Sequence, residues 1–196
     1  GSISVLGGII PNLSFDSSLE LWKPGSLPVI YNFQPDFIRT FASGLIHNNI
    51  FFVFGGVSVD PLSSYMFEYY IPDSTIVHRD NFGFLTSYPF QQMSAFLENS
   101  VFLFGGIFIG SSRAIYRYDI QNKTLDLFQT ELLQSRAGGE AVKLGDSLVY
   151  IIGGFNESSL SLSSVEIFSN LTGNYSCSSG PRMNFERWEL MAAEYN

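Results

Sequence analysis

A Gly-Gly pair closes an apolar run at Gly7-Gly8, Gly55-Gly56, Gly105-Gly106 and Gly153-Gly154, at spacings of 48, 50 and 48 residues. The runs are Ser4-Val5-Leu6, Phe51-Phe52-Val53-Phe54, Val101-Phe102-Leu103-Phe104 and Leu148-Val149-Tyr150-Ile151-Ile152. They are short and rich in β-branched and aromatic residues, so each reads as an inner strand covered on both faces. A glycine pair at the end of such a strand marks a positive φ, or a place where a side chain would strike a neighbouring backbone.

A second apolar element follows each pair after about twelve residues: Leu19-Glu20-Leu21-Trp22, Phe67-Glu68-Tyr69-Tyr70, Tyr116-Arg117-Tyr118-Asp119 and Val165-Glu166-Ile167-Phe168. A turn comes next, at Pro24-Gly25-Ser26, Pro72-Asp73-Ser74-Thr75, Gln121-Asn122-Lys123-Thr124 and Asn170-Leu171-Thr172-Gly173, and a short outer strand after it. Upstream of three of the pairs stands one more strand ended by a polar turn, in Ser43–Asn49, Met93–Asn99 and Glu140–Asp146. The unit is therefore four antiparallel strands in roughly 50 residues, the period of a β-propeller blade, whose sheets bury their faces against neighbouring sheets.

Composition agrees with an all-β chain: aromatics make up 16% and charged residues only 14%, a balance that excludes disorder and leaves little room for helix. No tract divides the 196 residues, which are expected to form one domain over 1–196. A net charge of −8 with ten Lys and Arg argues against a nucleic-acid partner. The longest apolar stretches are about half the length a bilayer-spanning helix needs, so no membrane insertion is expected. Cys177 is alone, which excludes an internal disulfide. Five glycosylation sequons begin at Asn12, Asn122, Asn156, Asn170 and Asn174, and they tilt localisation toward the secretory pathway over the cytoplasm.

Over its whole length the chain resembles the kelch repeat family, and the best single match runs from Ser135-Arg136-Ala137-Gly138 to Val149-Tyr150-Ile151-Ile152-Gly153-Gly154. The resemblance implies a propeller of four four-stranded blades centred on the four glycine pairs. The family's outer-strand Trp is replaced near Val29, His78, Phe128 and Tyr175, while Trp22 and Trp188 read as core. Arg187–Asn196 reads as an inner strand with no glycine pair after it, and the first pair has no inner strand before it. The last strand can thus complete the first blade. The alternative is a fragment of a larger propeller, or open arcs that self-associate.

In this family the loops around the inner strands form the binding face. Arg39, Arg136 and Arg187 stand 16, 17 and 16 residues before the first glycine of their repeats, the last counted through the joined ends, and the remaining repeat has Pro89 followed by Gln91 and Gln92. Convergent guanidinium groups could take a carboxylate, a sugar acid or an acidic peptide. The competing reading is that each Arg ties neighbouring sheets through an aromatic ring or backbone carbonyls. Glu20, Glu68 and Glu166 recur twelve residues after the second glycine, with Arg117 eleven residues after it in the remaining repeat, and read as structural bonds between blades. The loop aromatics Tyr31, Phe33, Phe37, Phe82, Phe84 and Tyr88 suit partner contact or packing over the ring ends. His47 and His78 have no ligand at metal spacing, and Cys177 does not fit the copper and Cys–Tyr arrangement of kelch-type oxidases. The reading is a non-catalytic module, without cofactor or metal, that binds a protein or glycan partner of acidic character. The alternative is a carbohydrate-active enzyme of the epimerase or oxidase kind.

Overall fold

The structure is a computed structural model that describes residues 3–10, 14–22, 25–27, 29–32, 39–58, 65–83, 89–107, 112–171 and 173–192. Every regular element among them is a strand, and among these described residues no helix is long and apolar enough to cross a membrane. The chain divides into two compact units, Gly1–Tyr88 and Pro89–Asn196.

In the first unit, β1 (Ile3–Ile10), β2 (Ser14–Trp22) and β3 (Val29–Asn32) form a three-stranded antiparallel sheet. The two-residue strands β4 (Arg39–Thr40) and β7 (Val57–Ser58) pair with one another. A four-stranded sheet runs in the order β5 (Ser43–His47), β6 (Ile50–Phe54), β8 (Met66–Tyr70), β9 (Thr75–Asp80). Its core is Phe51, Val53, Phe67 and Tyr69, with Ala42, Ile46, Ile71 and Ile76 packed against them.

The second unit holds two more four-stranded meanders. One is β10 (Met93–Leu97), β11 (Ser100–Phe104), β12 (Ile115–Asp119) and β13 (Thr124–Leu127). The other is β14 (Glu140–Leu144), β15 (Leu148–Ile152), β16 (Val165–Ser169) and β17 (Ser176–Ser179). Their inner strands β10 and β14 lie beside each other. Between the sheets sits an aromatic cluster: Phe168 is 5.0 Å from Phe102, 5.2 Å from Phe104 and stacked 5.3 Å from Tyr175, while Phe128 meets Tyr175 edge-on at 5.0 Å. Phe128 and Tyr175 thus pack against the outer side of this core. Edge-to-face and offset contacts of this kind add about 0.5–1.5 kcal/mol each beyond the area they bury.

Burial falls from the inside outward. All five residues of β11 are buried, whereas β9, β13 and β17 are largely exposed. Exposed outer strands are tolerable because they are short and polar. Three expectations need correcting. β15 is covered on one face only, alternating buried Val149 and Ile151 with half-buried neighbours, because within the second unit one sheet packs against it. The pair Gly7-Gly8 does not end a strand; β1 runs through it, with a register shift between Leu6 and Gly8. The final segment, expected as a strand over Arg187–Asn196, has no strand over 187–192, where Arg187 makes a single bridge to Leu162, and 193–196 lie outside the described residues.

The other three glycine pairs do end strands, and both members of each have positive φ. Gly154 shows the reason. Its φ is 91°, its N–H donates to the Arg187 carbonyl at 2.8 Å, and a Cβ there would stand 2.5 Å from the Ala137 carbonyl oxygen. Gly154→Ala is expected to cost about 2–4 kcal/mol. Gly145→Ala, at a hairpin turn with φ 63° and open space around it, should cost about 1 kcal/mol. Urea midpoints of the two variants check the order.

Candidate functional site

In an antiparallel meander the connection after the second strand and the segment entering the first strand lie at the same end of the sheet. All of the sequence-selected polar residues, Arg39, Gln91, Gln92, Arg136 and Arg187, fall at this end of their units. Their side chains do different things there.

Residues 132–137 are mortar between the two sheets of the second unit. Their backbone belongs to the first of these sheets: Leu132 N–H donates to the Arg113 carbonyl at 2.9 Å, Arg136 N–H to Ser112 at 3.1 Å, and Gly106 N–H to the Arg136 carbonyl at 2.9 Å. The Arg136 side chain, 0% exposed, belongs to the next sheet. Nη1 donates to the carbonyls of Gly153 at 2.9 Å and Ser164 at 3.2 Å, and Nη2 to Ser164 Oγ at 3.1 Å and Glu166 Oε1 at 2.7 Å. Glu166 accepts in addition the N–H groups of Leu133 at 2.6 Å and Gln134 at 3.2 Å. A buried ion pair is stable only when its remaining lone pairs and protons find partners, and Glu166 meets that condition.

Arg39 repeats the pattern in the first unit. It is 3% exposed, and Nη1 donates to Gly55 at 2.7 Å and Tyr65 at 3.0 Å. The carbonyls of Tyr65 and Ser164 are equivalent, since each accepts from the first glycine of its pair. In the place of Glu166, two residues on, stands Phe67, and the Arg39 guanidinium lies 5.4 Å from its ring centroid. Glu68 is therefore one position out of step with Glu166, because the loop after Gly56 is one residue shorter. Adjacent strand residues face opposite sides of a sheet, so the sequence equivalence of Glu68 with Glu166 is corrected to an equivalence of Phe67 with Glu166. In the repeat that has Pro89 in place of Arg, Gln92 reaches the matching carbonyl, Gly105, through Nε2 at 3.4 Å.

Arg187 has the backbone of Arg136 one repeat on. Its N–H donates to Leu162 at 3.1 Å and its carbonyl accepts from Gly154. Its side chain is exposed.

A row of equivalent residues missed by sequence reasoning follows these arginines. Phe41, Gln91, Gly138 and Glu189 all have φ between 49° and 62°. In the second unit they are joined in series, Gly138 N–H to the Gln91 carbonyl at 2.9 Å and Glu189 N–H to the Gly138 carbonyl at 2.6 Å. Gln91 Nε2 also donates to Glu189 Oε1 at 3.3 Å, across the side chain that Gly138 lacks. Only one of the four positions is glycine, which is why no motif announces them.

Exposed apolar side chains at this end of the second unit include Leu133, Leu160 at 62%, Phe185 at 70% and Trp188 at 51%. Trp188 is thus not core, as expected from sequence; it meets Phe155 edge-on at 5.7 Å and keeps half its surface open. Among the loop aromatics, Phe82 packs edge-on against Tyr65 at 6.4 Å, and the side chains of Tyr31, Phe33, Phe37, Phe84 and Tyr88 lie outside the described residues. Among the described residues no three His, Cys, Asp or Glu are grouped to hold a metal. Burial, with the Glu166 carboxylate adding to it against Arg136, pushes the Cys177 thiol up to about 12.

Two outcomes follow. Arg136→Met should cost about 3–5 kcal/mol by stranding Glu166, and adding Glu166→Leu should recover much of the loss, read by urea denaturation. Cys177 should react with a disulfide reagent at pH 8 about a thousandfold more slowly in the folded chain than in urea. No protein-family model matches the chain, and no curated protein matches it.

Proposed function

We propose that the chain is a kelch-type β-propeller that serves as a non-catalytic binding module, and that it takes a protein partner at the end of the second unit carrying Leu133, Leu160, Phe185 and Trp188. In this reading four blades are centred on the four glycine pairs, and the C-terminal segment completes the first blade. The observation that carries the binding role is the division of labour at that end. Arg136 and Gln92 spend their polar groups inside the unit, and Gln91 bonds Glu189. Large apolar side chains in the neighbouring loops stay open to solvent. Large apolar side chains left exposed suit a protein contact, and Trp is prominent among residues that dominate binding. Arg182, Glu186 and Arg187, in the same segment as Phe185 and Trp188, are also exposed. With two of the three sequence-selected arginines buried, capture of an acidic ligand rests on Arg187 alone, so the apolar groups carry the proposal.

Peptides selected from a displayed library against the folded chain should lose at least tenfold in affinity to Trp188→Ser or Phe185→Ser, with melting temperatures unchanged. They should keep it against Leu171→Ser, in the exposed turn at the other end of the same sheet. Peptides indifferent to positions 185 and 188 would sink the assignment. Light scattering tests the ring: a closed ring runs as a single 21.9 kDa chain, and open arcs run as multiples of it.

A further inference from the structure

Four of the five sequons begin at described residues, and three of those asparagines, Asn122, Asn170 and Asn174, lie in turns between the third and fourth strands of a sheet. Two share the turn between β16 and β17, four residues apart, and their surroundings differ. The Asn170 amide is built into a clip between the sheets. Its Nδ2 donates to Glu98 Oε1 at 2.6 Å, and its Oδ1 is buried. Tyr175 donates its hydroxyl to Glu98 Oε2 at 2.8 Å, and Thr130 Oγ1 donates to the Tyr175 carbonyl at 3.2 Å. Burial, reinforced by the bond to Glu98, pushes the Tyr175 hydroxyl up to about 12. Asn174 stands on the other side of the turn. It is exposed, and it follows Gly173, which has φ 80° and open space where a side chain would be.

We propose that Asn174 is the N-glycan acceptor of this turn and that Asn170 is not. This goes beyond the binding role and does not depend on it. In the modification, Asn174 Nδ2 bonds to the anomeric carbon of a sugar supplied as a polyprenyl-diphosphate oligosaccharide. The anomeric C–O bond breaks, the diphosphate leaves with the electron pair, and one amide proton passes to a base. The product keeps one N–H at Asn174 and places the sugar in solvent. At Asn170 the same bond would set a sugar ring against Glu98 and displace Tyr175 from the aromatic cluster, so chains modified there do not reach the clipped fold. The Asn174 turn is at the end of β16 and β17 opposite Leu160, Phe185 and Trp188, and a glycan there leaves those side chains uncovered.

The experiment is secretion of the full chain from cultured mammalian cells behind a leader peptide. Enzymatic glycan release in heavy-oxygen water turns each occupied Asn into labelled Asp, and fragmentation of the peptide spanning both sites locates the label. Label at 174 and none at 170 is expected. Asn174→Gln should remove one glycan from the intact mass. Asn170→Gln should leave the mass pattern of 174 intact and lower the melting temperature by about 2–4 °C as the clip is lost. Label at Asn170, or an unlabelled Asn174, overturns the proposal.

Discussion

The guanidinium of Arg136 is the interaction on which the second unit depends. A buried cation needs acceptors, and here the two terminal nitrogens find them at the end of β15, at the start of β16 and on a carboxylate that also holds the incoming chain, while Nε is buried with no hydrogen-bond partner among the described residues. Two sheets that share an aromatic core and the Glu98 clip are thereby held in one angular relation. Hydrophobic contact is tolerant of sliding, and a five-donor planar group is not. The aromatic cluster supplies cohesion between the sheets, and the Arg–Glu pair supplies the geometry.

The same task is solved three ways in one chain. A carboxylate stands beside Arg136, an aromatic ring beside Arg39, and in the sheet between Gln92 reaches the glycine carbonyl from a different position in the sequence. What persists is the acceptor, the carbonyl of the first glycine of each pair. Positive φ at the glycines turns that carbonyl toward the incoming segment. The donor can then vary as long as something reaches it.

Much of the fold was legible because its signals are local. Apolar runs, turn residues and glycine pairs located β6, β11 and β15 and their partner strands to within a residue or two. The three sheets of four strands follow from a period of about 50. The site was less legible. Arg39 and Arg136 were found by spacing, but spacing is the same for a ligand-binding and a sheet-tying arginine, and only burial tells them apart. Glu68 was misaligned because loops after the glycine pairs differ by a residue, and a strand converts that single residue into a change of face. The left-handed row at Phe41, Gln91, Gly138 and Glu189 left no compositional trace, since tertiary contacts rather than residue type impose the conformation. Trp188 was taken as core because Trp usually is, and its exposure depends on what the neighbouring loops cover.

The segment 132–137 gives its backbone to one sheet and its arginine to the next. Much of the geometry that joins the two sheets is thus carried by the connection, a few carbonyls and one strand carboxylate. Repeats built this way can be duplicated, deleted or recombined at the glycine pairs with their joints intact. Sequence drift within the strands then leaves the angular order of the assembly untouched. A lineage of such chains can lose all recognisable similarity in its sheets and still hand down the same joint.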